Sequence, residues 1–99
     1  MINANFNLYL PPIGDAVFCM ASLRRDSDSF TIYGNYIFGK NVSEEVFGLA
    51  KKYGYDKVLL SSYLPHGSER FFKKINKEDL FQVADSLTKK GIEAKVILD

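Results

Sequence analysis

In "INANFNLYL" the apolar residues Ile2, Ala4, Phe6, Leu8 and Leu10 alternate with Asn3, Asn5, Asn7 and Tyr9. A period of two buries one face of a β-strand, so this stretch predicts the first strand of the fold. "PPIG" follows as a turn, because proline fixes its own backbone and Gly14 tolerates positive φ. "DAVFCMASLRR" fits two elements, a strand buried on both faces or a short helix capped by Asp15, and we read it as strand. "DSDS" is a turn cluster, and the β-rich "FTIYGNYIFG" after it completes a meander of three strands.

The period then changes. Val46, Leu49, Ala50 and Tyr53 fall at i, i+3, i+4 and i+7, behind Ser43 as an N-cap, with Glu44 and Glu45 at the positive end of the helix. Gly54 closes that helix. "KVLLSSYL" predicts a strand, Pro65 to Ser68 a loop and "ERFFKKI" another strand. Asn76 caps a second helix with Glu78 and Asp79 in its first turn, Leu80, Val83, Ala84 and Leu87 along one face, and Gly91 at its end. "EAKVIL" is the last strand. The segments "LAKKYGYDKVLL" and "LTKKGIEAKVIL" share a Leu, a Lys pair, a Gly, then Lys-Val and a terminal Leu. Two helix-to-strand units built on one plan give such an echo.

From Phe30 onward the order reads βαββαβ. The expected fold is therefore α+β: a ferredoxin-like βαββαβ core with an added N-terminal β-hairpin, a mainly antiparallel sheet and two helices on one face. A chain of 99 residues makes one domain, 1–99, that buries about two thirds of its unfolded surface.

Two helices on one face leave the other face uncovered. If Val58, Leu60 and Leu64 point to the helices, Leu59, Ser61 and Tyr63 point away. By the same parity Arg70, Phe72 and Lys74 share the open side, joined by Tyr33 and Lys95. Tyr33, Tyr63, Arg70, Phe72 and Lys74 are thus the candidate binding residues, an aromatic and basic set. Such a face suits a protein partner, a second copy above all, since isologous pairing buries the same patch twice. It also suits single-stranded nucleic acid, whose bases stack on rings while Lys and Arg meet phosphates.

"IFGKNV", Ile37 to Val42, is similar to the first-strand signature of RNA-recognition-motif domains, in which an aliphatic and an aromatic residue precede an Asn and an aliphatic. "SEEVFGLAKKYG" resembles the helix that follows in that family. The resemblance covers about a fifth of the chain and implies RNA binding on the open face. In "SERFFKKI" Phe71 and Phe72 are adjacent, where the family's third strand sets a glycine between aromatics.

Charge changes the picture little. Thirteen Lys and Arg against twelve Asp and Glu give a net charge of +1, so no global field draws the protein to nucleic acid or anionic lipid, and any such attraction is local. Gly39, Lys40, Asn41 and Ser43, with the free amides of the helix start, form a candidate anion loop. The same residues also serve as an ordinary turn.

Candidate chemistry is sparse. Cys19 is the only cysteine, which excludes an internal disulfide and multi-cysteine zinc patterns and fits a reducing compartment. It lies in an apolar segment, where a thiol is packing. His66, in "LPHGSER", is the better acid-base candidate, on a loop near Ser68 and Glu69, although a lone His beside Pro and Gly is an ordinary turn residue. Asp26, Asp28, Glu44, Glu45, Glu78 and Asp79 mark a turn and two helix starts. No catalytic residue, metal or cofactor is assigned. The first residues lack the basic region of a signal peptide, and no apolar run approaches membrane-spanning length. The expectation is a cytoplasmic, non-catalytic binding module without a membrane partner, acting by protein contact or as a homodimer. Single-stranded RNA binding is the alternative; a small anionic ligand or an enzymatic role ranks behind both.

Overall fold

A computed structural model describes residues 4–12, 14–26, 29–38, 42–64 and 66–98, with the backbone alone for 23–26 and 29–33. The elements run β1 (Ala4–Leu10), β2 (Ala16–Asp26), β3 (Ser29–Phe38), α1 (Val42–Lys52), β4 (Lys57–Ser61), a 3-10 turn (Ser68–Arg70), β5 (Lys73–Lys74), α2 (Lys77–Lys89) and β6 (Glu93–Val96). The strands form one six-stranded sheet in the order β3-β2-β1-β4-β6, with β5 paired to β1 off that path.

The α+β class, the first three strands and both helices agree with the sequence reading. The expected ferredoxin-like order does not describe this sheet. β1 is its centre rather than part of an added hairpin, and among the described residues β3 pairs only with β2. Nor is the sheet mainly antiparallel. The β1–β2, β2–β3 and β1–β5 pairs are antiparallel, whereas β1–β4 and β4–β6 are parallel, so the sheet is mixed.

The physical reason lies in what each strand offers the helices. Ala4, Phe6 and Leu8 on the helix side of β1 are fully buried, and a strand so apolar on one face is stabilised most where neighbours flank both its edges. β3 sets Asn35 opposite buried Cys19, and Asn35 is exposed. Tight connections place β2 and β3 on one side of β1, and the helical crossover delivers β4, parallel, to its free edge.

Both helices pack on the side that carries Phe6, Leu8, Cys19, Val58 and Leu60, where they close one core with Val46, Leu49, Leu80 and Leu87. The repeated sequence plan has a structural counterpart. After each helix a glycine takes positive φ, Gly54 at 77° and Gly91 at 93°. The next residue then donates back to the helix, Tyr55 N to Ala50 O at 2.8 Å and Ile92 N to Leu87 O at 3.0 Å. Tyr55 and Ile92 are both buried, as the hydrophobic partner of this helix ending requires. The strands that follow, β4 and β6, lie side by side and parallel.

Two local readings are corrected. α1 begins at Val42, so Ser43 sits half-buried in its first turn rather than at the cap. "ERFFKKI" is not a full strand: Gly67, at φ 92°, starts a 3-10 turn, and only Lys73 and Lys74 reach the sheet. Asn76 caps α2 as expected, its Oδ1 accepting from Asp79 N at 2.9 Å. Among the described residues no helix is long and apolar enough to cross a membrane.

Candidate functional site

The side of the sheet away from the helices is set by register. Asn5, Asn7 and Tyr9 of β1 stand opposite Ser22, Met20 and Phe18 of β2, and Phe18 stands opposite Tyr36 of β3. On the other flank Asn5 faces Leu59 of β4, which in turn faces Lys95 of β6. The face is aromatic at the end where β1 finishes and polar at the other.

At the aromatic end four rings meet. Phe18 lies 4.9 Å from Tyr36 and 5.3 Å from Phe72 between centroids, and Tyr9 lies 5.6 Å from Phe72 and 6.5 Å from Phe18. Tyr9 is buried as a result, although it belongs to no part of the main core. Burial first, and then the neighbouring Tyr63 phenol, push the Tyr9 phenol above its ordinary value. Phe18 also covers the backbone of Gly34, where an added Cβ would meet its Cζ at 3.2 Å. A ring over a glycine in an edge strand restores apolar cover that the glycine lacks.

Tyr36 within this cluster, and Phe38, Tyr63 and Phe71 outside it, are exposed, by 42%, 58%, 56% and 63%. Large aromatics this open, on one stretch of surface, are the usual mark of a contact site. Lys74 stands opposite Tyr9, and Lys95 is exposed on the same side. The carboxylate of Glu93, two residues before Lys95, is engaged by Lys57 at 3.7 Å. Toward the sheet centre Ser61 Oγ donates to Asn7 Oδ1, a polar pair bridging the two parallel strands.

Of the candidates named from sequence, Phe72 joins the ring cluster, Tyr63 is exposed beside it, and Lys74 is on β5 at the same end. Arg70 is exposed on the 3-10 turn. With Pro11, Pro12, Phe71 and Phe72 it lines a shallow cleft of about 180 Å³. Tyr33 pairs through its backbone with Ala21, and its side chain lies outside the described residues. So do Gly39, Lys40 and Asn41, which leaves Ser43 as the described member of the candidate anion loop. Sequence reasoning missed Tyr9, Phe18 and Tyr36. The signal was present in β1, where Tyr9 shares the parity of Asn5 and Asn7, but the β2 and β3 partners depend on register.

Candidate chemistry elsewhere is limited. His66 is exposed just before Gly67, whose amide donates to the Glu69 carboxylate at 2.9 Å. Among the described residues no three His, Cys, Asp or Glu side chains gather as a metal site. Cys19 is fully buried; desolvation first, then the Glu45 carboxylate, push its thiol up to about 12. A thiol held protonated is a poor nucleophile. The sign of the linkage follows: in the unfolded chain the thiol ionises near 9, so its contribution is complete below that pH and is lost as pH rises toward about 12. Unfolding free energy is expected to fall by about 1.4 kcal/mol per pH unit in that window from this group. Urea titrations of the native chain and of Cys19→Ala, compared at neutral and alkaline pH, check it. Equal alkaline slopes in the two proteins would show that the thiol contributes nothing.

No family model matches the sequence, nor does any curated protein. Among solved structures the fold is similar to that of Thermus thermophilus RuvC. The TM-score is 0.50 at 7% identity, over 95% of this chain and 63% of that one. A likeness at this identity concerns fold alone, and the chain spans less than two thirds of the RuvC chain.

Proposed function

We propose that this protein is a non-catalytic binding module that works by protein contact, self-association included, through the open face of its sheet. The observation that carries the reading is the set of exposed rings, Tyr36, Phe38 and Tyr63, in and around a packed cluster on the face away from both described helices. Rigid aromatics supported from below are the side chains that supply most contact energy at interfaces. The setting we propose is cytoplasmic, in keeping with a lone buried thiol.

A solution mass measured by light scattering across a dilution series tests it. Self-association is expected, and Tyr63→Ser is expected to weaken the contact made by this face about tenfold. The same change should move unfolding stability by no more than about 0.5 kcal/mol, because the side chain is largely exposed. Loss of the native circular dichroism spectrum would instead make Tyr63 a core residue.

A second reading, single-stranded nucleic acid, is favoured by Lys74, which stands opposite Tyr9 at the ring cluster. Fluorescence anisotropy with single-stranded RNA at low and high salt distinguishes it, since phosphate contacts must weaken steeply as salt rises. Binding insensitive to salt, or none, removes this reading.

A further inference from the structure

The two edges of the sheet are built differently. At one, β6 is four residues long and sets exposed Glu93 and Lys95 between half-buried Ala94 and Val96. Short and charged is the form in which proteins keep an edge from pairing with another chain. At the other, β3 runs ten residues, "SFTIYGNYIF", without one charged side chain or proline. The irregularity in its pairing with β2 lies between Arg24 and Asp26, so Phe30 to Phe38 stay in unbroken register. The devices that blunt the β6 edge are therefore absent from the β3 edge over most of its length.

We infer that β3 is the edge through which two copies of this chain join, antiparallel about a two-fold axis, into one continuous sheet. The inference rests on the self-association reading above but places the contact between copies at the sheet edge, which leaves the open face to a further partner. A second copy fits because an antiparallel pair of identical strands is self-complementary: each outward N–H meets a C=O of the mate. A strand without charge brings no like-charge pair across the axis. Ten residues at ~3.4 Å make an edge about 34 Å long, enough for on the order of ten inter-chain hydrogen bonds.

The two-fold axis of such a pair stands perpendicular to the sheet. Both helix layers then lie on one side and both open faces on the other, contiguous across the seam, with Tyr36 and Phe38 of each copy beside it. The edge alone, about 34 Å by the ~10 Å thickness of one layer, offers roughly 340 Å². That is below the ~800 Å² per partner of a standard interface, so the pair dissociates on dilution.

Light scattering over a dilution series of the full chain, with backbone hydrogen exchange by NMR at its two ends, tests the proposal. The mass is expected to pass from one chain to two with concentration. The β3 amides that do not bond to β2 should exchange at least about tenfold more slowly in the dimer, while those of β6 stay unchanged. Asn35→Lys, at an exposed position beside the seam, is expected to weaken the dimer about tenfold with a native circular dichroism spectrum. If that variant fails to fold, exchange in the native chain decides. A dimer whose β3 amides show no change overturns the edge proposal; if Tyr63→Ser then weakens it, the open-face reading survives. A chain that is monomeric at every concentration also overturns the edge proposal and leaves the open face to a different partner.

Discussion

Ser62→Ala is expected to cost the fold about 2–4 kcal/mol, far more than one surface-sized hydroxyl suggests. The Ser62 hydroxyl is buried, donates to Leu8 O at 2.6 Å and accepts from Ile75 N at 2.7 Å. It thereby ties the central strand to the segment that enters α2. Alanine keeps the backbone but leaves a carbonyl and an amide in a dry site without their partner, and each such group costs about 1–3 kcal/mol. Equilibrium urea unfolding at neutral pH measures it. Ser61→Ala is the contrast: its hydroxyl bonds Asn7 on the open face, half-buried, where water replaces the lost partner. A loss at Ser62 no larger than at Ser61 would mean that the buried bonds are not made in solution.

Phe6→Ala carries the largest expected effect, about 3–5 kcal/mol, which is a large part of the total stability of a domain this size. Phe6 is fully buried in the middle of the middle strand, opposite Ala21 on one side and Leu60 on the other. Its neighbour Ala21 is too small to fill the space that truncation opens, so a cavity remains. The check is the shift in urea midpoint at constant slope, since a changed slope reports a changed unfolded or native state rather than a lost contact. A cost below about 1 kcal/mol would place Phe6 outside the core and reverse the two faces of the sheet.

These two residues also show how much of the molecule the sequence carried. Phe6 was legible from alternation alone, because one face of β1 meets helices and the other does not. Both helices were legible from their apolar stripes, from the Asn76 cap and from Gly54 and Gly91, which local chemistry demands. "AVFCMASL" was ambiguous because Val17, Cys19 and Ala21 are buried on one side while on the other Ala16 is buried and Phe18 and Met20 are half-covered, which erases the period of two. Strand order was not legible. Alternation assigns a residue to a face but not to a neighbour, and the β1–β4 pairing joins residues 54 apart. The candidate site was half legible for the same reason. Parity along β4 put Tyr63 on the open face, whereas Phe18 and Tyr36 reach it only once β2 and β3 are set in register beside Tyr9.

The position of β1 at the centre of the sheet has a consequence in time. It is made before the strands that flank it, yet the hydroxyl that Asn7 accepts from belongs to a residue made 54 positions later. A nascent chain can close the β1–β2–β3 meander early, but the other flank of β1 stays bare until α1 and β4 have been synthesised. Phe6 and Leu8 meanwhile lack the helices that bury them. Bringing such distant segments together is slow compared with local hairpin closure, and a half-made chain that exposes an apolar strand is prone to aggregate. Fragments that stop before Lys57 are therefore expected to be insoluble or unfolded, whereas loss of residues beyond Val96 leaves the central pairing complete.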